Sequence, residues 1–574
     1  MKSRPIQKQS EPAQEIPMAQ PPFIETHRPT LDAAIRANRE RGYWSPYVEA
    51  PSRKVYGETA ADDGEAAFKA LLGKPFALPG HPSNGSTVGK EDSPFGLPLG
   101  ITYPGTAPVD LIAAAQAAMA SWAAASADDR AGVCLEILDR VNKRSFEIGH
   151  AVMHTTGQAF LMAFQAGGPH AQDRGLEAVA MAHAIQAQTP VTALWEKPQG
   201  KADPLRMEKT FRIIPRGVSL MIGCSTFPCW NGYPGLFASL ATGNPVIVKP
   251  HPGAILPLAL TLRIAREVLA EAGFDPNVVL LAADEPGQET TKDYVTNPVV
   301  RIIDYTGSGT FGEWVRHNAA TPLVFTEEAG INPVVITGTD DLKGLCRNLA
   351  FSLALYSGQM CTAPQNIFLP KAGIETDQGP KTADEVAESL SIAIDKLLGD
   401  AERAAGVCGA VQNPATLARV AEAASLGTVI RPSTPIEGME GARSATPLLV
   451  KVNAVEEATY LTERFGPIAF IVVCDSAEDA LERAIRSTAV KGAITALVHG
   501  TDPALLDKAE DGFASTGTAL SLNLTGGVFV NQSAAFSDYH VSGANPAGNA
   551  SLTDAAYVAS RFRVATSRRH APAA

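Results

Sequence analysis

Residues 218–250 read VSLMIGCSTFPCWNGYPGLFASLATGNPVIVKP, and the fold follows from how this stretch alternates. VSLMIGCS opens on an unbroken apolar run that is short for a helix and suits a strand covered on both faces. YPGLFASLATG (233–243) then has helical spacing and stops at a glycine, after which PVIVKP (245–250) is apolar again. A strand, a helix and a second strand imply parallel pairing through a crossover connection.

Downstream the same alternation continues. NVVLLAAD (277–284), VRIIDYTG (300–307) and LVFTEEAG (323–330) read as strands, separated by helical stretches at 256–274, 289–297 and 311–320. Five apolar strands alternating with helices predict a doubly wound parallel sheet, with its ligand at the carboxyl ends of the strands. Those ends carry residues 224–231, Lys249, residues 306–312 and Glu327. A second alternating series predicts a second α/β domain. Its strands are NPVVITG (332–338), NIFLP (366–370), TPLLVKV (446–452), IAFIVVCD (468–475), AITALVHG (493–500) and GGVFVNQ (526–532). Upstream, residues 108–185 read as Ala-rich helices and 23–105 as a wrapping arm. RFRVAT (561–566) is a single late strand, and residues 1–22, rich in Pro, Gln and Glu, are expected to be disordered.

Whole-chain properties narrow the class. At 574 residues the chain exceeds one compact core. A net charge of −12 argues against non-specific nucleic-acid or anionic-membrane binding. Seven scattered cysteines read as reduced thiols rather than a disulfide framework. Neither a secretory signal nor a membrane-spanning apolar run is seen, so a soluble, cytoplasmic protein is expected.

Several short motifs could carry chemistry. GSGTFG (307–312) satisfies G-x-G-x-x-G between a strand and a helix, where Gly307, Ser308 and Gly312 could receive a pyrophosphate or form a plain turn. In GQMC (358–361), Gly358 could stop a helix and leave Cys361 on a loop, although an isolated cysteine is more often inert packing. Asn231 could cap a helix or aim its amide at an oxyanion. Lys249 could be a surface lysine or a contact to a cofactor. Glu463 and Phe465, in ERFGP (463–467), mean little alone. On its own, an ordinary dinucleotide reading makes Glu327 or Glu328 a ribose ligand. No cluster has the form of a metal site.

Taken together and in this order, Cys229-Trp230-Asn231, VIVKP, Gly307-Ser308, EEAGINP (327–333), Gly358-Gln359-Met360-Cys361 and Glu463-Arg464-Phe465-Gly466-Pro467 resemble the aldehyde dehydrogenase superfamily across roughly residues 105–565. The ending SDYHVSGANPAGNASLTDAAYVASRFRV (537–564) and the N-terminal hundred residues look most like its branch of phenylacetic acid degradation proteins. The resemblance implies a dinucleotide-binding domain at 216–328 and a catalytic domain at 329–535. It implies an N-terminal arm and helical part at 23–195, with association segments at 196–215 and 536–574.

The resemblance also assigns roles. Cys361 becomes the nucleophile, Glu327 the base for hydrolysis of a thioester, and Asn231 an oxyanion donor. Lys249, Gly307, Ser308, Gly312, Glu463 and Phe465 become cofactor residues. The activity implied is NAD(P)-dependent oxidation of an aldehyde, a semialdehyde of phenylacetate or other aromatic catabolism that is free or CoA-linked, by a homodimer or homotetramer. A CoA-acylating enzyme and a catalytically retired structural relative are the alternatives. Pro252 stands where NAD-preferring relatives often carry a glutamate, so NADP is favoured over NAD. Burial is expected to raise Glu327 toward neutrality, with Glu328 perturbing it further.

Overall fold

The computed structural model describes residues 23–571, so the expectation of a disordered segment at 1–22 lies outside the described residues. Phe23–Glu40 (α1) lies across two further helices, Ala127–Lys143 (α2) and Pro169–Gln186 (α3). A capping box starts α2: the Ser126 hydroxyl accepts from the Asp129 N–H, and the Asp129 carboxylate accepts from the Ser126 N–H. The strands Thr192–Gln199 (β1) and Ala202–Pro215 (β2) then form an antiparallel hairpin.

The stretch that decided the fold becomes a strand, a helix and a strand: Val218–Ile222 (β3), Pro228–Ala241 (α4) and Val246–Lys249 (β4). Leu256–Glu271 (α5), Val279–Leu281 (β5), Val300–Gly307 (β6), Gly309–Asn318 (α6) and Val324–Glu328 (β7) follow. The five strands pair in parallel in the order β5-β4-β3-β6-β7. Every residue of β3, β4 and β5 is buried, because helices cover both faces. Strand order reverses between β3 and β6, the switch point at which such sheets open a crevice.

The second domain holds a seven-stranded sheet. Its strands are Asn332–Ile336 (β8), Pro364–Pro370 (β9), Thr428–Arg431 (β10), Leu448–Asn453 (β11), Ile468–Cys474 (β12), Thr495–His499 (β13) and Ala519–Leu522 (β14). Their order is β10-β11-β12-β9-β8-β13-β14, with only β10 antiparallel. The pleat divides its apolar residues into two layers. Val334, Ile367, Leu449 and Ile471 face one side, and Val335, Phe368, Val450 and Phe470 the other.

GGVFVNQ is not a strand. It runs irregularly, with the Phe529 ring packed 4.3 Å from that of Phe351 on Leu342–Ala354 (α7). The sheet ends instead on ALSL (519–522), a segment of weak strand propensity whose ladder is supplied by β13.

After residue 532 the chain turns back over the first domain. The Glu328 N–H donates to Ala547 O at 2.7 Å, and Thr326 exchanges bonds with Asn549, so this segment covers the outer edge of β7. Only Phe562–His570 (β15) joins the hairpin, pairing antiparallel with β2. Between these two parts a buried clamp ties the chain's end to the first sheet. Arg561 grips Asp304 of β6 with both guanidinium nitrogens, at 2.5 and 2.9 Å, and the Tyr557 hydroxyl adds a bond of 2.7 Å.

Candidate active site

The carboxyl ends of β3, β4, β6 and β7 open onto a cleft of about 580 Å³, walled on its other side by the loops that precede β9 and β12. That volume suits a small-molecule or cofactor site. Asn231, Lys249, Gly307, Ser308, Glu327, Cys361, Glu463 and Phe465 all line it. Of the residues singled out from sequence, Gly312 does not.

Ser308 caps α6, its hydroxyl accepting from the Phe311 N–H, and Gly307, Ser308 and Phe311 present the helix start to the cleft. A helix N-terminus with free N–H groups favours an anion, so a dinucleotide pyrophosphate fits here. Gly312 serves another purpose. A Cβ there would lie 2.4 Å from Oε1 of Glu328, so its absence lets that side chain tuck beneath the helix and pair with Arg316. Glu328 and Glu327 are neighbours on β7 and point to opposite faces, so Glu328 is spent on Arg316 rather than on its neighbour's acidity.

Lys249 is buried at the cleft wall, its ammonium 2.7 Å from Asp284 Oδ1 and 2.8 Å from Pro250 O. Burial lowers its pKa, against the pull of Asp284. Beside it, crowding by protein and the Lys249 charge push His251 down to about 4, although solvent reaches the residue, and the ring is neutral at pH 7. At the opposite wall, crowding by protein raises Glu463 to about 7, partly offset by Arg419, although solvent reaches the side chain.

The loop that carries Cys361 is held by its own motif. Helix α7 ends at Ala354, and Gly358 follows with φ +62°, where a Cβ would sit 2.5 Å from Gly466 O. The glycines of two motifs more than a hundred residues apart thus pack backbone to backbone. Gln359 donates to Tyr356 O and Ala410 O and accepts from the Gln412 N–H. Asn332 donates to Cys361 O at 2.8 Å and to Ala363 O at 2.9 Å. Cys361 is fixed on a rigid loop, its side chain half-buried.

Cys361 meets Glu327, Asn231 and a residue that the sequence reading missed, His540. The Cys361 sulfur, a Glu327 oxygen and a His540 ring nitrogen lie within 4.8 Å of one another. Asn231 Nδ2 donates to Glu327 Oε2 at 2.6 Å, and His540 Nε2 is 2.9 Å from Glu327 Oε1. Burial pushes the Glu327 carboxyl up, but His540, Cys361 and Asn231 together outweigh it and hold the group below its usual value. The expected rise toward neutrality is therefore reversed in this arrangement. The Cys361 thiol is raised well above its usual range, by burial first and the Glu327 charge second. At rest the site holds a thiol and a carboxylate, and Asn231 is committed to that carboxylate rather than to an open oxyanion position.

His540 escaped notice because a lone histidine in a Gly- and Asn-rich segment 179 positions from Cys361 has no local signature. The same holds for Asp284 and Arg419, which act on this cleft only through the fold.

Residues 107–548 match the family described as the aldehyde dehydrogenase family. Among solved structures, the chain is similar to an NAD-dependent aldehyde dehydrogenase from Burkholderia multivorans. The two are 53% identical, with a TM-score of 0.95, over 97% of this chain and 100% of that one. It is also 27% identical to an N-succinylglutamate 5-semialdehyde dehydrogenase from Burkholderia lata, covering 65% of this chain and 73% of the relative. A vanillin dehydrogenase from a Pseudomonas species is 25% identical over the same shares.

Proposed function

The chain belongs to the aldehyde dehydrogenase family, and on that premise we propose that it oxidises an aldehyde to a carboxylic acid through a thioester on Cys361, with Glu327 activating water. The observation that carries the reading is the meeting of Cys361, Glu327 and Asn231 at a cleft whose wall also holds the Gly307–Ser308 helix start.

In this reading the Cys361 thiol passes its proton to the Glu327 carboxylate, which sheds it to solvent before the hydrolytic step, and the thiolate attacks the aldehyde carbon. The Asn231 amide and the Cys361 backbone N–H hold the oxygen that becomes negative, a role in which losing one donor costs about 10²–10³ in rate. The nicotinamide, when bound, supplies the acceptor for the departing hydride. Glu327 then takes a proton from the water that attacks the thioester, and the thiolate leaves as the acid forms. Turning into the cleft removes the Asn231 and His540 bonds that strengthen Glu327 as an acid. Without those bonds the carboxylate is a better base. Retention of this glutamate favours water over CoA as the acyl acceptor.

The Glu327→Gln variant should still release about one hydride per site on first mixing with aldehyde. Its steady turnover should fall by roughly 10²–10⁴. Stopped-flow NADH absorbance separates the two phases, and an unchanged steady rate would remove Glu327 from the mechanism.

For the cofactor, Pro252 supplies no carboxylate to repel a 2′-phosphate, which admits NADP. The nearby Lys249 charge is already matched by Asp284, and His251 is neutral, so neither is a free cation for that phosphate. The similar Burkholderia multivorans enzyme is NAD-dependent. NAD is accordingly expected to give the higher kcat/KM, with NADP accepted, in a side-by-side steady-state comparison. A kcat/KM higher with NADP would overturn this balance.

Phe227, which lines the cleft, backs onto an apolar and aromatic cluster: its ring lies 5.7 Å from that of Tyr356, with Met162, Trp230 and Met360 packed around them. It supports an aldehyde with an aromatic or otherwise apolar body, formed in the breakdown of phenylacetate or related acids, free or CoA-linked. Similarity to a vanillin dehydrogenase points the same way. The three-stranded sheet of β1, β2 and β15 exposes Leu194, Leu205 and Val564 and leaves β1 as an open edge, a surface suited to self-association. No described helix is long and apolar enough to cross a membrane.

A further inference from the structure

Cys361 has to ionise in surroundings that oppose it, since burial and the Glu327 carboxylate both disfavour the thiolate. Asn231 is free to meet an oxyanion only when Glu327 turns away from it. The same movement frees His540. Its Nε2 lies 2.9 Å from Glu327 Oε1 and 3.8 Å from the Cys361 sulfur, the only side-chain nitrogen hydrogen-bonded to that sulfur among the described residues. Nδ1 has no partner, while Nε2 faces a carboxylate, so the ring proton belongs on Nε2.

His540 is held as a fixed part of the site. It is almost fully buried, edge-to-face with Trp230 at 4.6 Å between ring centres, and its backbone pairs with Leu552. Val541 beside it has φ +63°, a left-handed conformation that a β-branched residue adopts only under constraint. The bonds from Ala547 and Asn549 to β7 supply that constraint. The titratable and charged groups around the ring are Glu327 from β7, Cys361 from the nucleophile loop, Cys224 beyond Asn231, and Arg174 of α3 over the Trp230 ring.

We propose that His540 is a further catalytic residue: once Glu327 turns toward the cleft, the His540 Nε2–H donates to the Cys361 sulfur and stabilises the thiolate. The proposal rests on Cys361 being the nucleophile. No proton changes hands on the ring, because Nε2 exchanges a carboxylate acceptor for a thiolate acceptor.

The test is the rate at which iodoacetamide modifies Cys361, followed by mass on its peptide, in full-length protein with excess NAD across a pH series. A hydrogen bond to a charged sulfur of ordinary strength corresponds to about a tenfold shift in ionisation. His540→Asn, whose amide falls short of the Nε2 position, should therefore slow modification at neutral pH about tenfold by moving the apparent pKa up by about one unit. His540→Gln, whose amide nitrogen reaches that position, should stay within about threefold of the parent. His540→Leu, of similar bulk, should behave as the Asn variant does and carries the test if that variant does not fold. An Asn or Leu profile that superimposes on the parent overturns the proposal, as does equal slowing in Gln and Asn. NADH formation by the parent is followed in parallel with aromatic aldehydes. If it is absent while the modification profiles still shift, the oxidation reading fails and the His540–Cys361 bond stands.

Discussion

Replacing Cys361 with alanine is expected to lower aldehyde-dependent NADH formation to below about one ten-thousandth of the parent rate, the scale on which removing a nucleophile acts. No neighbouring thiol can take over. Cys224 also borders the cleft, but its sulfur lies 3.7 Å from the Asn231 amide oxygen, and crowding by protein pushes its thiol up to about 11. Unlike Cys361, it has neither His540 nor a rigid loop to present it. Cofactor binding should survive, because the Gly307–Ser308 helix start and the Lys249–Asp284 corner are separate from the sulfur. The check is NADH formation set beside NADH binding by fluorescence. Normal turnover in Cys361→Ala would move the covalent step to another group, and loss of binding together with turnover would mean that the variant had lost its structure.

The second large effect concerns stability. Arg561 is fully buried, and in Arg561→Ala the Asp304 carboxylate would lose both guanidinium bonds while remaining enclosed. An uncompensated buried charge of this kind costs about 3–5 kcal/mol. The Ser239 hydroxyl also loses the guanidinium that donates to it, keeping only its bond to Ser219. The Arg561→Met, Asp304→Leu double variant should recover much of that loss, because removing both charges is far cheaper than stranding one. Denaturant midpoints of the parent, the single and the double variant provide the comparison. A single variant within about 1 kcal/mol of the parent would show that water reaches Asp304 and that the clamp is not closed. Aldehyde oxidation should fall with the clamp, since it anchors the segment that carries His540 and covers the edge of β7.

Much of this molecule can be read from short windows of its chain. The apolar runs at 218–222, 246–249, 300–307 and 324–328 identify a buried parallel sheet by themselves, because a strand enclosed on both faces has no polar side to hide. Each residue given a site role from sequence between Asn231 and Phe465, Gly312 excepted, lies on the one cleft, since strand ends and their following loops converge wherever such a sheet switches direction. Weak segments were less legible. ALSL at 519–522 is a strand because β13 lies beside it, and GGVFVNQ is none because its Phe529 found Phe351.

What the sequence alone determined is the list of chemical groups and the sheet that gathers them. The tertiary structure decided their state. Glu327 is held below its usual pKa with the help of a histidine 213 positions away, Lys249 is neutralised by Asp284, and Gly358 is required by the backbone of Gly466. Residue type and local spacing set what a side chain can do, but its charge and partners depend on electrostatic and steric neighbours that only folding brings within a few ångströms.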